Sequence, residues 1–80
     1  MKGNKKGYNG WKNYNHWNVA LWINNDYGLY CLARDLIKEF KNRDKAAEAL
    51  LNDLHGVGIY DTPDHVRYTK TAIRAAMVGM

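Results

Sequence analysis

The segment Tyr27–Lys41, YGLYCLARDLIKEFK, decides the fold class of this chain. Its apolar residues recur at steps of three and four, which is the spacing of one face of an α-helix. They are Leu29, Leu32, Ala33, Leu36, Ile37 and Phe40. Asn25 or Asp26 can cap the start of this helix. Lys38 and Lys41 lie near its end, where the helix dipole favours cations. The segment predicts an amphipathic helix that needs other helices to cover its apolar face.

The preceding segment, residues 13–24, has two possible interpretations. Four of its residues alternate as they would in a strand: Trp17, Val19, Leu21 and Ile23. A second set shares one face of a helix: Trp17, Ala20, Leu21 and Asn24. Asn15 can cap a helix here, because its side chain can accept hydrogen bonds from amides two or three residues later. A short helix is the favoured interpretation, and we expect its segment Trp17–Trp22 to pack across the apolar stripe of helix 27–41.

Two more helices are predicted in the second half of the chain. Asp44 opens the first of them, and Gly56 is its expected left-handed stop. Its inward-facing residues are Ala47, Leu50, Leu51 and Leu54. Thr62 followed by Pro63 is a strong helix start, since a hydroxyl cap precedes a residue whose φ is already helical. The last helix is therefore expected from Pro63 to about Met77. Its expected buried side consists of Val66, Ile73, Ala76 and Met77.

The chain is long enough for one domain. Its 80 residues carry a net charge of +4, which resides in residues 1–12, since residues 13–80 have eight bases and eight acids. We expect residues 1–12 to be a basic flexible tail and residues 13–80 to be a helical domain. The predicted fold is all-α, a compact single-domain bundle of about four helices with a short basic N-terminal tail.

No catalytic or metal-binding pattern is present in the sequence. The candidate metal ligands have no two members at ligand spacing; they are His16, Cys31, His55 and His65. A hydrolase needs a nucleophile with an oriented base, yet the chain has no serine and no threonine that is marked as activated. The sequence therefore predicts a protein that is not an enzyme and binds no cofactor and no metal.

Aromatic residues are concentrated in the first part of the chain. Seven of the nine Trp and Tyr residues lie between Tyr8 and Tyr30. A domain this small cannot bury all of these rings, and exposed Trp, Tyr and Arg dominate protein interfaces. Lysines among the rings and a basic stripe on the last helix could also contact nucleic acid. The candidate partner-binding residues are Tyr8, Trp11, Lys12, Tyr14, Arg67, Lys70 and Arg74. The binding partner of these residues could be a protein, a nucleic acid or a second copy of the chain.

The aromatic segment resembles a pattern of small proteins that phages and plasmids encode. That pattern reads Tyr-x-x-Trp-Asn-Val-x-Leu-Trp-Ile-x-Asn-Asp-x-Gly-Leu-Tyr. It matches Tyr14, Trp17, Asn18, Val19, Leu21, Trp22, Ile23, Asn25, Asp26, Gly28, Leu29 and Tyr30. A later segment, residues 62–69, resembles the Thr-Pro-Asp-Gly-Val segment of the same group, with His65 in place of glycine. That replacement predicts a straight helix start in place of a tight turn.

The resemblance implies an origin on a mobile element and, by analogy, an anti-defence function. Small phage proteins without catalytic residues often cover a surface of a host machine, such as a CRISPR effector or a restriction enzyme. The leading hypothesis is therefore an anti-CRISPR type inhibitor that binds a host defence complex in the host cytoplasm and blocks it sterically. The alternatives are a small nucleic-acid-binding accessory protein and a homo-oligomeric interaction module. We expect a monomer or a homodimer and no contact with the membrane.

Overall fold

A computed structural model describes residues 13–80 as four helices joined by short connections and one long loop. The helices are α1 (Tyr14–Asn25), α2 (Tyr27–Phe40), α3 (Arg43–Gly56) and α4 (Lys70–Met77). Residues 13–80 contain no strand, so the predicted all-α bundle of four helices is confirmed.

Each helix begins after a polar residue whose side chain accepts a hydrogen bond from a backbone amide of the first turn. These caps are Asn13, Asp26, Asn42 and Thr69. The cap predicted at Asp26 is confirmed, whereas the cap predicted at Asn15 is wrong, because Asn13 accepts from the amide of His16. Helix α3 begins at Arg43, one residue before the predicted start at Asp44.

The core is built mainly from aliphatic and alanine side chains. Its buried residues are Val19, Ala20, Ile23, Ala33, Leu36, Ala46, Ala47, Leu50, Leu54, Val66, Tyr68, Ala72, Ile73, Ala76 and Met77. Helix α1 contributes Val19 and Ile23, while Trp17 and Leu21 are only half-buried. Of the four residues predicted to share one face of α1, only Ala20 is buried, so the predicted face is correct in part and the true one also contains Val19 and Ile23. Helix α1 contacts α2, and it packs more extensively on α4, which was not predicted.

Helix α3 ends in a left-handed turn at Gly58, not at the predicted Gly56. Gly58 has a φ of 81° and its amide donates to the carbonyl of His55 at 3.0 Å. The amide of Ile59 donates to the carbonyl of Leu54 at 2.8 Å. This pair of bonds is the Schellman arrangement, in which the left-handed position favours glycine because it has no Cβ. It reverses the chain and starts the loop of residues 57–69.

The expected helical start at Thr62–Pro63 is wrong, since this segment forms a three-residue hairpin turn. The amide of His65 donates to the carbonyl of Thr62, and the amide of Thr62 donates to the carbonyl of Val66, both at 2.8 Å. His65 has a φ of 68°, the left-handed position that follows the turn in this kind of loop. The replacement of glycine by His65 thus preserves the tight turn. Helix α4 consequently begins at Lys70 and has eight residues.

Candidate functional site

A buried polar contact joins α1 to the hairpin turn. Asn18 in α1 is fully buried, and Thr62 in the turn is almost fully buried. The Thr62 hydroxyl donates to the Asn18 side-chain oxygen at 2.7 Å and accepts from the amide of Val66 at 3.2 Å. Because the polar atoms of this contact find partners, its burial is tolerated and fixes the position of the turn against α1.

Asp64 extends this contact to the surface. Its carboxylate accepts from the Asn18 side-chain amide at 2.8 Å and from the Trp22 indole N–H at 2.9 Å. The hydrogen bond from Asn18, followed by the one from Trp22, holds the pKa of Asp64 below its ordinary value. Asn18, Trp22, Thr62 and Asp64 are named below as the α1–turn clamp. The clamp joins the two segments on which the resemblance rests.

A groove of about 550 Å³ lies beside the clamp, between the first half of α2 and the loop of residues 57–69. It is lined by Asp26, Gly28, Leu29, Leu32, Leu54, Ile59, Asp61, Thr62, Pro63 and Tyr68. Aliphatic side chains dominate its walls, two carboxylates are present, and none of the ten residues is basic. This α2–loop groove therefore combines an apolar interior with a negative charge.

Tyr68 is the buried aromatic residue of the groove. Only 4% of its surface is exposed, and its hydroxyl has no hydrogen-bond partner within residues 13–80. Burial, followed by the negative charge of Asp26, raises the pKa of Tyr68 above its ordinary value. Tyr68 thus brings to the lining of the groove a neutral hydroxyl whose hydrogen-bonding capacity is unused within residues 13–80.

The three predicted basic residues in the second half of the chain are paired with acids. Arg67 lies in the loop and not on α4 as predicted, and its Nε contacts the carboxylate of Asp61 at 2.6 Å. Lys70 and Arg74 lie one turn apart on α4 and share Asp44, at 2.9 and 3.8 Å. The hydrogen bond and the charge of Asp44 raise the pKa of Lys70. Intramolecular ion pairs thus offset the charge of this predicted site.

A different set of aromatic and basic residues lies on the opposite side of α2 from the core. Tyr27, Tyr30, Arg34 and Lys38 line a shallow cavity of about 410 Å³, together with Cys31 and Asp35. Tyr27 is 81% exposed, and the Arg34 guanidinium lies 5.7 Å from the centroid of the Tyr30 ring, in cation–π geometry. Neither Arg34 nor Lys38 forms an ion pair within the described part of the chain.

These four residues, named below as the α2 outer face, were not predicted as a site. Their steps of three, four and four place Tyr27, Tyr30, Arg34 and Lys38 along one side of a helix. This spacing can be read from the sequence, although the apolar stripe of the same helix is the stronger periodic signal. The basic residues that were predicted instead are Arg67, Lys70 and Arg74. Acids lie near them in the fold, and their spacing along the sequence does not reveal this.

The remaining predicted partner-binding residues belong to the front of the chain. Tyr14 is 41% exposed, and its ring lies 5.7 Å from that of Trp17. Tyr8, Trp11 and Lys12 lie outside the described residues. Over residues 13–80, no three His, Cys, Asp or Glu side chains are grouped so as to hold a metal ion. None of the four helices is long and apolar enough to span a membrane.

The comparison with known proteins gives one match. A protein-family model described as a family of unknown function, DUF7249, matches residues 4–80. No curated protein and no solved structure matches the chain significantly.

Proposed function

The chain belongs to the family of unknown function DUF7249, and from the chemistry of its α2 outer face we propose that it is a protein-binding inhibitor. It attaches to an acidic surface of a host defence complex, of which a CRISPR effector is the leading candidate, and blocks that complex sterically. The origin on a mobile element, which the resemblance of residues 14–30 implies, is part of this proposal. The inhibitor acts by occupancy in the host cytoplasm, without turnover and without a cofactor.

The observation that carries the proposal is the combination of an exposed tyrosine ring and unpaired cations on α2. Tyr27 is 81% exposed, and Arg34 and Lys38 have no acidic partner within residues 13–80. Tyrosine and arginine are enriched at the centres of protein interfaces, where a large ring and a planar cation can both be buried. Cations that are free of internal acids are available to an acidic partner and can steer its approach.

A protein partner is favoured over a nucleic acid by the distribution of charge. Residues 13–80 carry no net charge, and the basic residues at Arg67, Lys70 and Arg74 are already paired with Asp61 and Asp44. A nucleic-acid-binding surface usually presents many unpaired cations, because each neutralised phosphate adds to the affinity. Two free cations beside two tyrosines fit a small protein contact better.

The proposal is tested in bacteria that carry an active CRISPR effector and are challenged with a phage that the effector targets. Expression of the full chain should restore plaque formation. The double charge reversal Arg34→Glu with Lys38→Glu should abolish that effect, because it places acids against an acidic partner. Its matched control is Lys45→Glu, since Lys45 is an exposed lysine of α3 with no ion pair within residues 13–80.

Both variants must melt at the temperature of the unchanged chain, as expected for surface substitutions. The proposal fails if expression of the chain does not restore plaque formation in the presence of any defence system tested. It also fails if the double variant Arg34→Glu with Lys38→Glu restores plaque formation as well as the Lys45→Glu control does. Binding of the chain to random DNA that weakens steeply as salt rises would support the nucleic-acid alternative instead.

A further inference from the structure

We propose that the α2–loop groove binds a short peptide segment of a partner protein, with an arginine flanked by apolar residues. This site is separate from the α2 outer face and does not depend on the proposed inhibitory function. Three features of the groove lead to this occupant: its size and apolar walls, its negative charge, and the unused hydroxyl in its interior.

The size and walls of the groove fit a peptide segment. Its volume of about 550 Å³ lies within the range of roughly 300–1,000 Å³ that ligand sites of proteins span. The walls include Leu29 and Leu32 from α2, Leu54 from the end of α3 and Ile59 from the loop. Such walls can cover both the apolar neighbours of an arginine and the methylene groups of its own side chain.

The charge of the groove selects a cation. The charged residues of its lining, Asp26 and Asp61, are both acids. One oxygen of Asp26 accepts from the amide of Leu29 at 3.1 Å, which leaves its other oxygen available. Asp61 is already paired with Arg67, so the unpaired negative charge of the groove is that of Asp26.

The unpaired hydroxyl of Tyr68 can accept a hydrogen bond from the charged end of the ligand. Tyr68 is 4% exposed, and its oxygen can accept a hydrogen bond that no residue in the described part of the chain supplies. The negative charge of Asp26 acts on this hydroxyl, as the raised pKa of Tyr68 indicates. A guanidinium has five N–H donors in one plane, so it can serve the hydroxyl and a carboxylate together.

The site is tested by NMR titration of the full isotope-labelled chain with N-acetyl-Leu-Arg-Leu-amide. We expect saturable shifts at the backbone amides of Leu29, Leu32, Ile59 and Tyr68. N-acetyl-Leu-Glu-Leu-amide, which has the same apolar residues and the opposite charge, should produce no saturable shift at these amides. N-acetylargininamide, which supplies the guanidinium alone, should bind at least tenfold more weakly than the arginine peptide, because it leaves the apolar walls uncovered.

Three variants assign the contacts. Tyr68→Phe keeps the ring and removes the hydroxyl, so it should weaken the peptide roughly three- to tenfold without lowering the melting temperature. Asp26→Asn keeps a side chain that caps α2 and removes the charge, so it should weaken the peptide about tenfold. Asp53→Asn is the matched control, since Asp53 is an exposed acid of α3 outside the groove. It should leave the affinity unchanged.

Several outcomes would overturn the assignment. Equal shifts from the arginine and glutamate peptides would mean that charge plays no part. N-acetylargininamide binding as tightly as the peptide would point to a small-molecule cation site. Equal affinities for the Asp26→Asn and Asp53→Asn variants would place the peptide elsewhere. The charge reversal on the α2 outer face should leave the peptide affinity intact, so a failure of the proposed function would not be confused with a failure of this site.

Discussion

Two of the junctions in this domain use opposite chemistry. Helices α3 and α4 meet through aliphatic and alanine side chains, among them Ala47, Leu50, Ile73 and Met77, each fully buried. Helix α1 meets the loop of residues 57–69 through the α1–turn clamp, in which Asn18 contacts Thr62 and Asp64 by hydrogen bonds. The first junction excludes water by packing, whereas the second positions a turn by directional bonds.

The difference shows how a small domain divides stability from specificity. Apolar burial contributes roughly 25 cal/mol for each Å² removed from water, without regard to direction, so it supplies most of the free energy of unfolding. A hydrogen bond contributes a small net free energy but requires defined atoms at defined positions. We therefore expect the aliphatic junction to control whether the chain folds, and the clamp to control the shape of the adjacent α2–loop groove.

The largest effect is expected in the aliphatic junction. Leu50→Ala should lower the free energy of unfolding by about 2–5 kcal/mol, because it leaves a cavity among fully buried neighbours. Denaturant unfolding followed by circular dichroism measures this change. Leu51→Ala is the matched control, since Leu51 is only half-buried and should cost less. Equal costs at the two positions would contradict the packing of α3.

A smaller effect is expected in the clamp. Asn18→Ala should cost about 1–3 kcal/mol, because it leaves the buried hydroxyl of Thr62 without its acceptor. Thr62→Val should cost a similar amount, and the double variant should cost less than the sum of the two. Denaturant unfolding of the three variants gives the coupling free energy. Strictly additive costs would mean that the two side chains do not interact in solution.

The two junctions also differ in how far the sequence predicts them. Residues such as Leu50, Leu54 and Ile73 are buried as expected, because helical periodicity reports which residues share a face. The contact of Asn18 with Asp64 joins residues 46 positions apart, and no local pattern identifies such a pair. The sequence therefore predicted the helices more successfully than the loop that the clamp positions.

The errors in the loop have one physical origin. Thr62, Pro63 and Asp64 suit the first turn of a helix, but they equally suit a hairpin turn that ends in a left-handed residue. The hydrogen bonds of Thr62 and Asp64 to α1 favour the hairpin turn. These bonds are tertiary contacts, which a local sequence pattern does not report. The same limit explains the predicted basic site, since only the fold brings Asp44 to Lys70.

The left-handed residue of the turn offers a test that raises stability. His65→Gly should increase the free energy of unfolding by about 1 kcal/mol, because a residue with a Cβ is strained at a φ of 68°. Lys41→Gly should act in the same direction, since Lys41 has a φ of 54° at the end of α2. The control is Asn52→Gly within α3, which should instead destabilise the chain by about 0.3 kcal/mol, the difference in helix propensity between Asn and Gly. Thermal unfolding measures all three, and a loss of stability in His65→Gly would argue against the turn.

The smallest effect is expected from Asp64 at the surface end of the clamp, where it appears as a dependence on pH. Hydrogen bonds from Asn18 and Trp22 hold the pKa of Asp64 below its ordinary value in the folded chain. A carboxyl with a lowered folded pKa stabilises the fold above its unfolded pKa, and this contribution disappears as the pH falls through the folded pKa.

Asp64→Asn removes this titration, so its stability deficit should be present at neutral pH and should shrink in acid. Trp22→Phe removes one donor and should move the pKa of Asp64 part of the way back, which NMR titration of the carboxyl would detect. Asp53→Asn is the control, because Asp53 is an exposed acid of α3 that lies outside the clamp. A deficit of Asp64→Asn that is the same at every pH would mean that the clamp binds the side chain and not its charge.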